Sequence, residues 1–220
     1  MIGSWRGFLT ARESYLRLDQ LLAAHPPAAS PMPLPAPRGV ITIDKLVVTP
    51  PGTDTPVLRG VSLVVQPGSL VAIIGPSASG KSTLVRAMLG LVDASAGEVR
   101  MDDATLDQWD REALGAHIGY LPQDVELLDG TIAENIARFG ELKDAKVIEA
   151  AVAADVQSMI LHLPQGYGTR VVGHVLSAGQ RQRIGLARAL YGNPFLVVLD
   201  EPNSNLDAAG DAALASAISG

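Results

Sequence analysis

Apolar positions along the chain fall into two patterns. Short strand-like runs occupy residues 40–48, 57–66, 71–74, 117–121 and 195–199, with another at 97–101. Runs of this length, rich in Val, Ile and Leu and bounded by Gly, Pro and Asp, predict strands. The turn-rich stretch 49–54 separates the first two and predicts an antiparallel pair. The β-branched run 71–74 and the runs at 117–121 and 195–199 have no polar alternation, as in buried parallel strands. Elsewhere apolar residues recur every three or four positions. This predicts helices at 1–24, from Thr83 through Leu84, Val85, Met88 and Leu89, and at 106–114, 131–139, 144–154, 156–163 and 181–191. Gly90 stands where a C-cap belongs, and Pro194 stops the last helix.

Between the first helix and the first strand lie six prolines among residues 26–37. Such a segment reads as a stiff spacer of about 3 Å per residue. The organisation expected is therefore a helix over 1–25, a Pro-rich linker over 26–38 and one α/β domain over 39–220. A helix followed by a stiff linker suggests a further domain upstream.

The run 71–74 leads into Gly75-Pro76-Ser77-Ala78-Ser79-Gly80-Lys81-Ser82, the form G-x-x-x-x-G-K-[ST], and Thr83 opens the following helix. Strand–loop–helix is the context this pattern demands. The glycines let successive backbone N–H groups converge, and the helix adds its positive end, so the loop can hold phosphate. Lys81 would reach the β- and γ-phosphates, and Ser82 would ligate Mg²⁺. The run 195–199 ends in Asp200 and Glu201. Neighbouring positions at a strand end point in different directions, so two acids can divide the work: Asp200 for Mg²⁺, Glu201 for an attacking water. Ser177-Ala178-Gly179-Gln180 has the capping-box form S-x-x-Q, by itself an ordinary helix start. Gln123, after Pro122 at the end of 117–121, means nothing alone.

Composition narrows the classes. The chain has 220 residues, net charge −6, no cysteine and 4% aromatics. The length suffices for one sizeable core. Acidic charge and scarce aromatics argue against nucleic acid as a partner. A disulfide framework and a thiolate zinc site are excluded. No apolar run approaches a membrane span, and the N-terminus lacks the apolar core of a signal peptide.

In order, the chain holds GPSASGKS, LPQD, LSAGQRQRIGLARAL, FLVVLDEP and SNLD. This series resembles the nucleotide-binding domain of ATP-binding-cassette (ABC) transporters over residues 39–220. More narrowly, WRGF, PPG before PVLRGVS, and ALYGNPFLVVLDEPNSNLD resemble type I secretion exporters, which move unfolded proteins out of Gram-negative bacteria. The resemblance implies a phosphate-loop (RecA-like) parallel sheet, an antiparallel β subdomain and a helical subdomain at about 122–185. It implies ATP and Mg²⁺ as cofactors, Gln123 at the metal or the water, and Lys81 and Glu201 in catalysis. It also implies a head-to-tail homodimer in which Ser177, Gly179 and Gln180 of one subunit cap the γ-phosphate held by the other. Residues 204–207 would lie at the dimer seam. A transmembrane domain of the same exporter, a periplasmic adaptor and an outer-membrane channel would be the partners, at the cytoplasmic face of the bacterial inner membrane.

Four departures qualify this expectation. Ala178 replaces a signature glycine. Pro50 stands where an adenine-stacking aromatic is expected. The loop between Thr169 and Leu176 is about two residues shorter than in such exporters. The family places a further strand and a switch histidine beyond residue 220, and His25, His117, His162 and His174 do not match it. A C-terminally truncated, weakly active chain is expected. Two other readings are a soluble ABC ATPase of DNA repair or translation and an ATP-gated interaction module with little hydrolysis.

Overall fold

A computed structural model describes residues 2–24, 34–171 and 176–202. The expectations for residues 204–207, His25, His174 and most of the Pro-rich linker lie outside them. The described part of the N-terminal unit is a single helix, α1 (Ile2–Ala24). Leu9, Tyr15, Leu16 and Leu22 of its apolar stripe are exposed.

The second unit begins with an antiparallel sheet. β1 (Ile41–Val48) pairs with β2 (Leu58–Val65) on one side and with β3 (Ala96–Met101) on the other. β4 (Ala104–Thr105) completes the order β2-β1-β3-β4. The β1–β2 pair is the one the turn at 49–54 predicts. Alternation along β1 buries Ile41, Ile43, Leu46 and Val48. These pack on Leu84, Val85 and Met88 of α2 (Lys81–Met88) and on Val198.

The predicted helix at 106–114 is broken. Leu106–Gln108 is a 3-10 turn and α3 is Arg111–Gly115, with Asp110 accepting from the Ala113 N–H at 2.8 Å. A second core belongs to the helices. α4 (Ile132–Ile136), α5 (Asp144–Ala153), α6 (Gln157–Leu161) and α7 (Ala178–Leu190) enclose Ile132, Ile136, Val147, Ile160 and Ile184. The two short strands β6 (Gly130–Thr131) and β7 (Arg170–Val171) pair antiparallel beside α4.

Between the two cores runs a parallel pair, β5 (Ile118–Leu121) with β8 (Leu196–Leu199). Its side chains serve both sides: Leu121 and Leu199 face the helical core, Val198 the core under α2. β5 lies against α7 at backbone distance. A Cβ on Gly119 would stand 1.9 Å from the Ala189 carbonyl oxygen, and one on Gly185 2.7 Å from Val125 Cγ1. At Gly119 backbone is met and only glycine permits the approach, whereas at Gly185 the side chains of Val125 and Leu121 would have to shift.

Arg138 locks the same junction. Its guanidinium donates to the carbonyls of Arg188, Gly115, Ile118, Ala189 and Tyr191 at 2.8–3.4 Å. A cation on the final carbonyls of α7 also opposes the negative end of the helix dipole. Burial first, then the nearby Arg188, holds the Arg138 pKa below its ordinary value, which still leaves an arginine charged.

One expectation fails. Residues 71–74 form no ladder with any described strand, and Val71, Ile73 and Ile74 are exposed, Ile74 at 91%. Apolar, β-branched composition suits a segment to burial, but a strand exists only where a neighbour accepts its hydrogen bonds. No described strand flanks this segment.

Gly119→Ala should lower unfolding free energy by about 3 kcal/mol, because backbone rather than a flexible side chain must yield. Urea denaturation of the variant beside the parent measures this.

Candidate functional site: a phosphate loop facing two carboxylates

The loop from Gly75 to Gly80 is wrapped, not extended. The Ser79 N–H donates to the Pro76 carbonyl at 3.3 Å. The Lys81 ammonium donates to the carbonyls of Gly75 (3.0 Å) and Pro76 (2.9 Å), so the loop curls around it. Gly80 closes the loop as the N-cap of α2 with φ 94°, and its carbonyl accepts the first helical bond, from Leu84 at 2.8 Å. A Cβ there would press on Leu58 and Val57, both at 3.0 Å. Conformation and space therefore both require glycine. With no side chain at the cap, the first-turn N–H groups of Lys81, Ser82 and Thr83 remain donors for an anion. Ala78 takes φ 62°, a left-handed conformation costly for a residue with a Cβ.

The carboxylates come to this loop because β8 lies between the two cores. The Asp200 N–H extends the parallel ladder by one bond to the Leu121 carbonyl, 2.9 Å. Its side chain, only 6% exposed, accepts from the Ser82 hydroxyl at 3.1 Å. Glu201 turns the other way and accepts from Gln123 Nε2 at 2.7 Å. The two acidic side chains thus meet different partners, and Gln123 gains one across 78 residues. Ser82 and Asp200 present two hard oxygens beside the loop, the donors Mg²⁺ takes together with phosphate oxygens and water. Among the described residues no cluster of three or more His, Cys, Asp or Glu offers a cage for another metal.

Ser177, Gly179 and Gln180 start α7. The Ser177 hydroxyl accepts from the Gln180 N–H at 3.2 Å, and Gln180 Oε1 accepts from the Ser177 N–H at 2.8 Å. The capping box therefore forms as its spacing predicts. It leaves the hydroxyl proton of Ser177 available to a further acceptor. Pro50 accepts from Thr53 in the turn after β1 and presents no aromatic ring. Sequence reasoning missed two features here. One is the strain at Ala78. The other is Gln182, 1% exposed, which donates to the Pro202 carbonyl at 3.1 Å.

A wrapped G-K-S loop at a helix N-terminus, met by a strand-end acid pair, defines an α/β phosphate-loop nucleotide-binding domain. A family model described as ABC transporter matches residues 58–204, and the chain belongs to the ABC transporter family. It is 56% identical over 220 residues to the type I secretion system ATP-binding protein PrsD of Rhizobium meliloti (strain 1021). That match covers 99% of this chain and 38% of the relative. A fatty acid ABC transporter ATP-binding/permease protein of Mycobacterium bovis is 43% identical over 157 residues, 70% of this chain and 25% of the relative. Among solved structures, a bacterial Atm1-family ABC exporter with ATP bound superposes with TM-score 0.80 at 31% identity, covering 96% of this chain and 38% of that one. The chain thus spans less than two-fifths of the length of these relatives.

Replacing Ala78 by glycine should relieve the left-handed strain and raise stability by about 1 kcal/mol. The urea midpoint reads the gain.

Proposed function

We propose that this chain is the ATP-binding and ATP-hydrolysing motor domain of an ABC exporter, serving type I protein secretion. The observation that carries the reading is the bond between Ser82 and Asp200, which unites the phosphate loop with the acid pair. Lys81 and the first-turn amides of α2 bind the β- and γ-phosphates. Ser82 and Asp200 would hold Mg²⁺, which when bound neutralises charge on the phosphate oxygens. Glu201 accepts a proton from the attacking water, and Gln123, already bonded to Glu201, orients that water. Two copies pair head to tail, so that Ser177, Gly179 and Gln180 of one complete the phosphate site of the other. ATP then joins the pair, and hydrolysis releases it.

The likeness to a type I secretion ATP-binding protein over nearly the whole chain supports the choice of exporter. On this reading the domain works at the cytoplasmic face of the bacterial inner membrane. Its partners are the transmembrane domain of the same exporter, a periplasmic adaptor and an outer-membrane channel. No described helix is long and apolar enough to cross a membrane.

Glu201→Gln should reduce ATP hydrolysis by roughly 10²- to 10⁴-fold, the usual contribution of a positioned base. ATP binding should persist, with an ATP-bound dimer accumulating on size exclusion. An unchanged rate would point instead to an ATP-gated module. Ala178→Gly removes a methyl beside the proposed trans phosphate contact. It should raise steady-state hydrolysis about two- to fivefold, as expected for 0.3–1 kcal/mol gained at a helix N-terminus; a rate equal to the parent's refutes a trans role for this turn.

A further inference from the structure

We infer that Gln182 is the positioning residue for Glu201, holding the peptide that follows the acid and thereby aiming its carboxylate. This rests on the proposed role of Glu201 as the water-activating base.

Gln182 lies on the buried face of α7, in helical spacing with Gly185, Leu186 and Ala189, and is 1% exposed. A glutamine on an apolar face costs free energy unless its amide is bonded. Its Nε2 donates to the Pro202 carbonyl at 3.1 Å, one residue beyond Glu201. Glu201 has φ 47°, a left-handed backbone uncommon for a residue with a Cβ. Such a conformation persists only where neighbours over-determine it. Three bonds do so here: Asp200 N–H to Leu121, Gln123 to the Glu201 carboxylate, and Gln182 to Pro202. The first two act before the acid or at its tip. Gln182 alone among them fixes the chain after it.

The donor is itself well held. Three residues along, Gly185 sits tightly against Val125 and Leu121, so α7 cannot slide to follow the acid loop. The same helix is capped at its start by Ser177. Whatever that end meets is rigidly connected, within two turns, to the placement of Glu201. Without the amide, the Pro202 peptide is free to rotate and the left-handed turn at Glu201 can relax. The carboxylate then leaves its line to the water, while Lys81, Ser82 and the phosphate loop are untouched.

Gln182→Met keeps length and packing and removes the donor. In the full chain, single-turnover hydrolysis with protein in excess should fall about 100-fold, the scale of an ångström-sized misplacement of a reacting group. The Kd for Mg-ATP and the thermal midpoint should match the parent. Gln182→Leu, which also lacks the donor and leaves no unbonded amide on the buried face, should give the same split and serves if the methionine variant does not fold. An unchanged rate overturns the inference. So does a fall in rate matched by lost ATP binding and lowered melting, which would mean a merely structural role. Glu201→Gln is run alongside. If it hydrolyses normally, the reading of the acid has failed, whereas a dead Glu201→Gln beside an active Gln182→Met condemns this inference alone.

Discussion

The contact on which the rest depends is backbone against backbone: β5 at Gly119 lying on the last turn of α7 at Ala189. This approach brings two cores of different construction into one body. Leu121 and Leu199 belong to the helical core, Val198 to the core of the antiparallel sheet and α2. The ends of β5 and β8 therefore emerge together at the boundary between the cores. Gln123 lies two residues beyond β5, and Asp200 and Glu201 directly follow β8. The chemistry sits where it does because two hydrophobic interiors share one pair of strands.

Two of the eight non-glycine residues with positive φ among the described residues lie in the site. Ala78 in the phosphate loop and Glu201 after β8 both take left-handed backbones that non-glycine residues avoid. Each is enclosed by hydrogen bonds that a relaxed chain would forfeit. At the loop these are the two bonds from Lys81 to Gly75 and Pro76; at the acid they come from Gln123 and Gln182. Stored strain at positions meant for reacting groups is a common sign of pre-organisation.

Much of this was legible beforehand, for identifiable reasons. The phosphate loop, the acid pair and the Ser177 capping box are local patterns, and local geometry follows from a few adjacent residues. The β1–β2 hairpin was readable because a turn-rich stretch joins two runs of similar length. Residues 71–74 misled because composition reports that a segment suits burial, not what lies beside it. Arg138 was invisible because its acceptors are five backbone carbonyls, and any sequence has carbonyls. The helix at 106–114 broke where Asp110 caps a new start, a signal present in the sequence. Gln182 also left a trace: a polar residue on an otherwise apolar helical face needs a partner.

At the start of the cassette, one carboxylate gathers three successive amides. Asp102 accepts from the N–H groups of Arg38, Gly39 and Val40 at 2.6–3.1 Å, and returns its own N–H to the Val40 carbonyl. Asp102 immediately follows β3, whereas the amides it holds immediately precede β1. Tension drawn along the backbone toward residue 38 would thus be shared between two neighbouring strands rather than peeling one from its end. The join behaves as a mooring, with shear distributed into the sheet before any rung of the β1 ladder is exposed to it.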